Sequence, residues 1–125
     1  MLKELQQYLM AQGYENVYRD YMPSIETTKK AINVTEWDNA MGSINDGTGT
    51  HYIQIRCRNP TYDDAYQTCH DIFALLDSGT EEMVINLTPD TFCVARPRRA
   101  PMIMERDEDS GCVTFYCEIA LWGTI

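Results

Sequence analysis

An α+β domain of two layers, a mostly antiparallel sheet with two helices packed on one of its faces, is the fold this sequence predicts. Three observations carry that reading. Apolar residues recur at helical spacing in two stretches, one at the N-terminus and one in mid-chain. Six strand-like runs surround them, giving the order α-β-β-β-α-β-β-β. The links between strands are shorter than a crossover requires, so most pairs must be antiparallel, and both helices then share a face. The 125 residues suit a single domain, 1–125, with no internal repeat. That length buries roughly two-thirds of the surface its unfolded chain exposes.

The first element spans 2–12, where Leu2, Leu5, Tyr8 and Leu9 fall three and four apart as on an amphipathic helix. Gly13 suits its C-terminal stop, because glycine accepts positive φ without a Cβ clash. A short strand follows in "NVYRDYMP" (16–23), closed by Pro23. "KAINVTEW" (30–37) is the second strand, with Ile32 and Val34 on one face and Asn33 and Thr35 on the other. "DNAMGSINDGTGT" (38–50) breaks all periodicity with glycines and small polar residues, so a flexible loop is expected at one edge of the sheet.

The clearest segment is "YIQIRCRNPTYDDAYQTCHDIFALLD" (52–77). In its strand Ile53, Ile55 and Cys57 share one face, and Gln54, Arg56 and Arg58 the other. Pro60 ends the strand because it cannot donate to the ladder. Thr61 is a good N-cap, Asp64 its capping-box-like partner, and Asp63 is favourable in the first turn. Tyr62, Ala65, Tyr66, Cys69, Ile72, Phe73 and Leu76 then keep helical spacing, and Asp77-Ser78-Gly79 closes the helix.

"EMVINL" (82–87) reads as a short strand. "TFCVARPRRAPMIMERD" (91–107) is extended but holds two prolines, which predicts an edge strand or a bulged one. "EDSG" (108–111) is a turn. In "CVTFYCEIALW" (112–122), Val113, Phe115, Cys117, Ile119 and Leu121 alternate with Thr114, Tyr116, Glu118 and Ala120. Its core-pointing side chains, at about 1.5–3 kcal/mol each, make this last strand a main contributor to the core.

Composition narrows the function. A net charge of −9 argues against gripping DNA from outside, which needs clustered Lys and Arg. It is compatible with a wall that surrounds a duplex and lets it slide. No apolar run approaches the ~20 residues of a membrane span. "MLKELQQYLMAQG" lacks the apolar centre of a signal peptide, so a protein made and kept in a cytosol is expected. Cys57, Cys69, Cys93, Cys112 and Cys117 are odd in number, form no C-x-x-C pair and sit in apolar contexts, as structural thiols do. Cys69 and His70 are helix neighbours pointing about 100° apart, beyond the reach of a thiolate–imidazole pair. His51 has no converging thiolates, the paired carboxylates fall in turns and a first helical turn, and "GTG" (47–49) lacks a phosphate loop's lysine. No catalytic, cofactor or metal site is expected.

Two features remain. "RPRRAP" (96–101) is the one basic cluster; it suits a partner's acidic surface, a solvated strand or a nucleic-acid backbone. Tyr8, Tyr14, Tyr18, Tyr21, Tyr52 and Tyr116, with Trp37 and Trp122, are too many aromatics for one small core. Such rings are enriched where surfaces meet partners. The candidate interface residues are therefore Trp37, Arg56, Arg58, Arg96, Arg98, Arg99, Tyr116 and Trp122.

"GYENVYRDYMP" after a leading helix, the strand–helix segment 52–77 and the closing "VARPRRAPMIMERDEDSGCVTFYCEIALW" together resemble the minor capsid and tail terminator proteins of tailed bacteriophages. The resemblance spans nearly the whole chain. It implies a two-layer fold assembled as a hexameric ring, which caps the tail tube, presents a surface to the head connector and lets DNA pass through its lumen. The expected partners are further copies of the chain, the tail tube protein and the head-completion or connector protein. The place is the virion neck or tail, reached from the host cytoplasm. A head-completion or connector-adaptor protein of the same neck is the alternative. A small thiol enzyme using Cys69 or Cys57, or a regulatory binding module, lies further off.

Overall fold

The computed structural model describes residues 1–41, 48–77, 83–89 and 91–124. Its elements are α1 (Leu2–Ala11), β1 (Val17–Arg19), β2 (Ala31–Met41), β3 (Thr48–Asn59), α2 (Tyr62–Leu76), β4 (Met83–Thr88), β5 (Thr91–Arg106) and β6 (Val113–Thr124). The order is the expected one, and the six strands form one sheet in the sequence β1-β2-β3-β6-β5-β4. Every pair is antiparallel except β1 with β2. There the link 20–30 carries the chain back to run alongside itself, and Val17 pairs with Ile32.

Both helices lie on one face. α2 packs on β3, β5 and β6, while α1 touches β1 and β2 and also β4 at the far edge, so the sheet curls around α1. Strand alternation supplies the core beneath them: Ile53, Ile55 and Cys57 from β3, and Val113, Phe115, Cys117, Ile119 and Leu121 from β6. Leu5 and Leu9 of α1 and Ala65, Cys69, Ile72 and Leu76 of α2 complete it, all fully buried. α2 starts where Thr61 takes an extended conformation. The Thr61 hydroxyl donates to the Asp64 carboxylate at 2.7 Å rather than capping a backbone N–H, and the Thr61 N–H is taken by Asn59 Oδ1 at 3.2 Å, so the two side chains of the expected capping box bond to each other and neither of its backbone bonds forms.

The loop expected at 38–50 is largely strand. β2 runs on to Met41 and β3 begins at Thr48, with Asn39 paired to His51, Ala40 to Thr50 and Met41 to Gly49. Small residues with poor strand preference stay in a ladder when neighbours on both sides satisfy their backbone, and Gly49 also pairs with Gly123 of β6. The rest of that stretch, 42–47, lies outside the described residues, as do Ser78 and Gly79 of the expected helix stop.

The prolines of β5 fall where its register with β6 shifts, between Pro97 and Arg99 and again between Arg99 and Met102. β4 pairs with β5 from Thr91 to Ala95. The strand is thus interior in its first part and bulged beyond it. The β5–β6 turn is held by Asp107, whose carboxylate accepts from the Ser110 backbone N–H at 2.8 Å and from its hydroxyl. These bonds hold the carboxyl below its usual range. Gly111 closes the turn at φ +76°, where a Cβ is strained. Gly111→Ala should therefore lower stability by about 1 kcal/mol in urea unfolding, and an unchanged midpoint would show that the turn tolerates a side chain.

Candidate functional site

Among the described residues no helix lies over the opposite face of the sheet, and the pairing arranges its side chains in rows across the strands. The first row runs Val84, Val94, Trp122, Thr50 from β4 to β3. Phe92, two residues before Val94, shares that side. Val84, Phe92 and Trp122 are 67, 59 and 44% exposed, an apolar strip that the subunit itself does not cover.

The second row joins Arg96, Ala120 and Tyr52. Ala120 is small and buried, and it floors a half-open trough of about 560 Å³ walled by Tyr52, Trp122, Arg96 and Arg98. The register shift in β5 lets Arg98 reach across that floor, with its guanidinium carbon 4.8 Å from the Tyr52 ring centroid. A cation over a ring face is attracted by the ring's quadrupole, by about 0.5–1 kcal/mol at an exposed site. Trp37 also adjoins Tyr52, 5.5 Å between centroids. Trp37 lies at the shift in β2 between Glu36 and Asp38, half exposed. The bulge aims this indole onto the outer face beside Tyr52. Trp37 and Arg98 thus cluster at Tyr52, with Trp122 and the strip beside them.

The following rows turn polar. Arg99 pairs with Glu118 at 3.5 Å and reaches the Met102 sulfur, which also accepts from the Tyr116 hydroxyl at 3.3 Å. Arg56 donates through Nη2 and Nε to Asn33 Oδ1 at 2.8 and 3.2 Å. Arg58 is buried, donating from Nε to Lys29 O at 3.2 Å and from Nη2 to Thr28 O. Arg58 therefore binds the 20–30 link over its end of the sheet and Arg56 the Asn33 amide of β2, so both guanidinium groups are occupied within the subunit. Of the candidate interface residues, the structure gathers Trp37, Arg96, Arg98 and Trp122 at the open end, and places Arg99 and Tyr116 midway.

Tyr52, half-buried, is legible as an interface aromatic but not as the common contact of Trp37 and Arg98, because the two bulges that bring those partners to it leave no periodic signal. Tyr8 and Tyr14, counted among the surplus rings, pack against the core. Burial raises both phenol pKa values.

The thiols are structural in placement. All five are free and buried. Cys57, Cys69 and Cys117 meet between β3, α2 and β6. Donation from Cys117 and then Cys57 lowers the Cys69 pKa against the opposing effect of burial, and hydrogen bonding to Cys69 together with burial raises the other two. His70 points to solvent beside Tyr66, away from Cys69. His51 is buried and pairs through Nδ1 with Glu36. Among the described residues no group of three or more His, Cys, Asp or Glu could hold a metal, and no helix is long and apolar enough to cross a membrane. Access, not ionisation, should govern thiol chemistry here. A thiol reagent should modify the folded protein slowly at every position and all five cysteines promptly after denaturation; one fast-reacting cysteine in the folded chain would reopen the thiol-enzyme reading.

The family described as bacteriophage tail terminator protein matches residues 1–113. No curated protein matches the chain.

Proposed function

This chain belongs to the bacteriophage tail terminator family, a structural component of the phage tail, and from that premise we propose that it forms a hexameric ring capping the tail tube. One surface of the ring stops tube growth, the other meets the head connector, and DNA passes through the lumen. The ring belongs to the neck of the virion and is assembled in the host cytoplasm.

The observation that supports this reading best is the uncovered sheet face. Exposed Trp37, Trp122, Phe92 and Val84 keep apolar area in water that burial against a partner would stabilise by ~25 cal/mol per Å². Aromatic anchors flanked by arginines are the composition that interface centres favour. The charge of −9 suits a lumen through which a polyanion slides without being held.

Tube polymerisation tests the proposal. Adding the chain to assembling tail tube subunits should arrest elongation and give short tubes of one length. Tubes that grow unchanged, with the chain bound instead to portal or connector protein, would assign it to the head-completion side of the neck.

A further inference from the structure

We infer that the outer sheet face of one copy receives the solvent face of α2 from the next copy, an interface that rests on the ring reading above. α2 carries two stripes on the side its core residues leave open. Asp63, Gln67 and Asp71 form one, with Gln67 Nε2 donating to Asp71 at 2.7 Å. Tyr62, Tyr66 and His70 form the other, at the margin of the core face, where Tyr62 and Tyr66 meet the buried Phe115 ring edge-on and the Tyr66 and His70 rings stand 5.8 Å apart. Tyr62 and Tyr66 are 50 and 41% exposed. The helix contains no Lys or Arg, so one stripe is acidic and the other aromatic.

The sheet face is its chemical complement. Arg96 and Arg98 stand beside Trp37, Tyr52 and Trp122 at the open end. Guanidinium groups pair carboxylates bidentately, and indoles and phenols supply apolar contact with a polar tip. On a chain with ten basic residues and nineteen acidic ones, Arg98, held over Tyr52, and the neighbouring Arg96 form a clustered basic patch, and the acidic stripe of α2 is its match in charge. The two patches also lie where a head-to-tail contact needs them. α2 packs on β3, β5 and β6 from one side, and the arginines and tryptophans occupy the other side of the same sheet. A heterologous interface uses two different patches on separate flanks of each subunit.

Charge reversal in the full chain tests this. Asp63→Arg with Asp71→Arg, or Arg96→Glu with Arg98→Glu, should each weaken self-association at least about tenfold, since like charges brought face to face repel. Mixing the two variants makes both contacts between unlike copies complementary, reversed helix on reversed sheet and native helix on native sheet, and should restore association between them, read by sedimentation velocity with circular dichroism reporting the fold. Association of the unmodified chain should also weaken as salt rises, which needs no variant to fold.

Reversals that leave the rings intact would overturn this interface while the ring stands. So would arginine variants that form normal rings but lose the tube end, giving the face to the tube protein, or lose duplex DNA, giving it to nucleic acid. An unmodified chain that stays monomeric, even with tail tubes, would remove the ring reading itself.

Discussion

Asn33→Ala should cost the fold about 2–4 kcal/mol, because it strands several buried polar groups at once. The Asn33 side chain is fully buried in β2. Its Nδ2 donates to the Tyr21 carbonyl at 3.0 Å and, more weakly, to that of Tyr18. Its Oδ1 accepts from Thr35 Oγ1 at 2.8 Å and from two nitrogens of Arg56. One amide therefore ties the 18–21 segment, β2 and β3 together. Removing it leaves the half-buried Arg56 guanidinium without its main acceptor and the Tyr21 carbonyl without this donor. Asn33→Asp keeps an acceptor for Arg56 but loses both donations, so its cost should be smaller. Urea unfolding of the three proteins checks this. An alanine variant within about 0.5 kcal/mol of the parent, the range of an ordinary surface change, would show that the network is dispensable.

The second large effect falls on assembly rather than on the fold. Trp37→Ala and Trp122→Ala together should leave a folded subunit and reduce ring formation by thirtyfold or more, the equivalent of about 2–4 kcal/mol lost at interface anchors. Trp37 is half exposed in the isolated subunit and Trp122 nearly so, so truncation removes little of the subunit's own core. The cost within the subunit should be about 0.5–1.5 kcal/mol, for the ring contact between Trp37 and Tyr52. Mass photometry across a dilution series, with thermal melting as the control, separates the two terms. Rings that persist at the parent's concentrations would mean that the outer face is not where copies or partners meet.

The sequence predicts the elements better than it predicts their extent. α2 was legible nearly to the residue, because Ala65, Cys69, Ile72 and Leu76 keep one face over about three turns and Thr61 marks the start. β6 was legible by strict alternation. The extension of β2 and β3 into "DNAM" and "TGT" was not, since cross-strand pairing, not local preference, holds those residues. The parallel pairing of β1 rests on three register pairs, too few for a pattern to announce. Alternation places Asn33, Arg58 and Thr114 on the face opposite the core residues, yet all three are buried. For Asn33 and Arg58 the cause is the 18–30 region crossing over them, a contact between segments that no single strand's periodicity contains. Trp37, Trp122 and Arg98 could be named as candidates from residue type alone. Their gathering around Tyr52 depends on two bulges, and only the three-dimensional pairing shows those.

The central claim is that this polypeptide acts by joining copies of itself into a cap on a tube. Negative-stain microscopy of the purified chain mixed with preformed tail tubes examines it most directly. Closed rings of uniform diameter, seated on one end of each tube, are the expected image. Tubes with bare ends beside a chain that remains single at high concentration would contradict it.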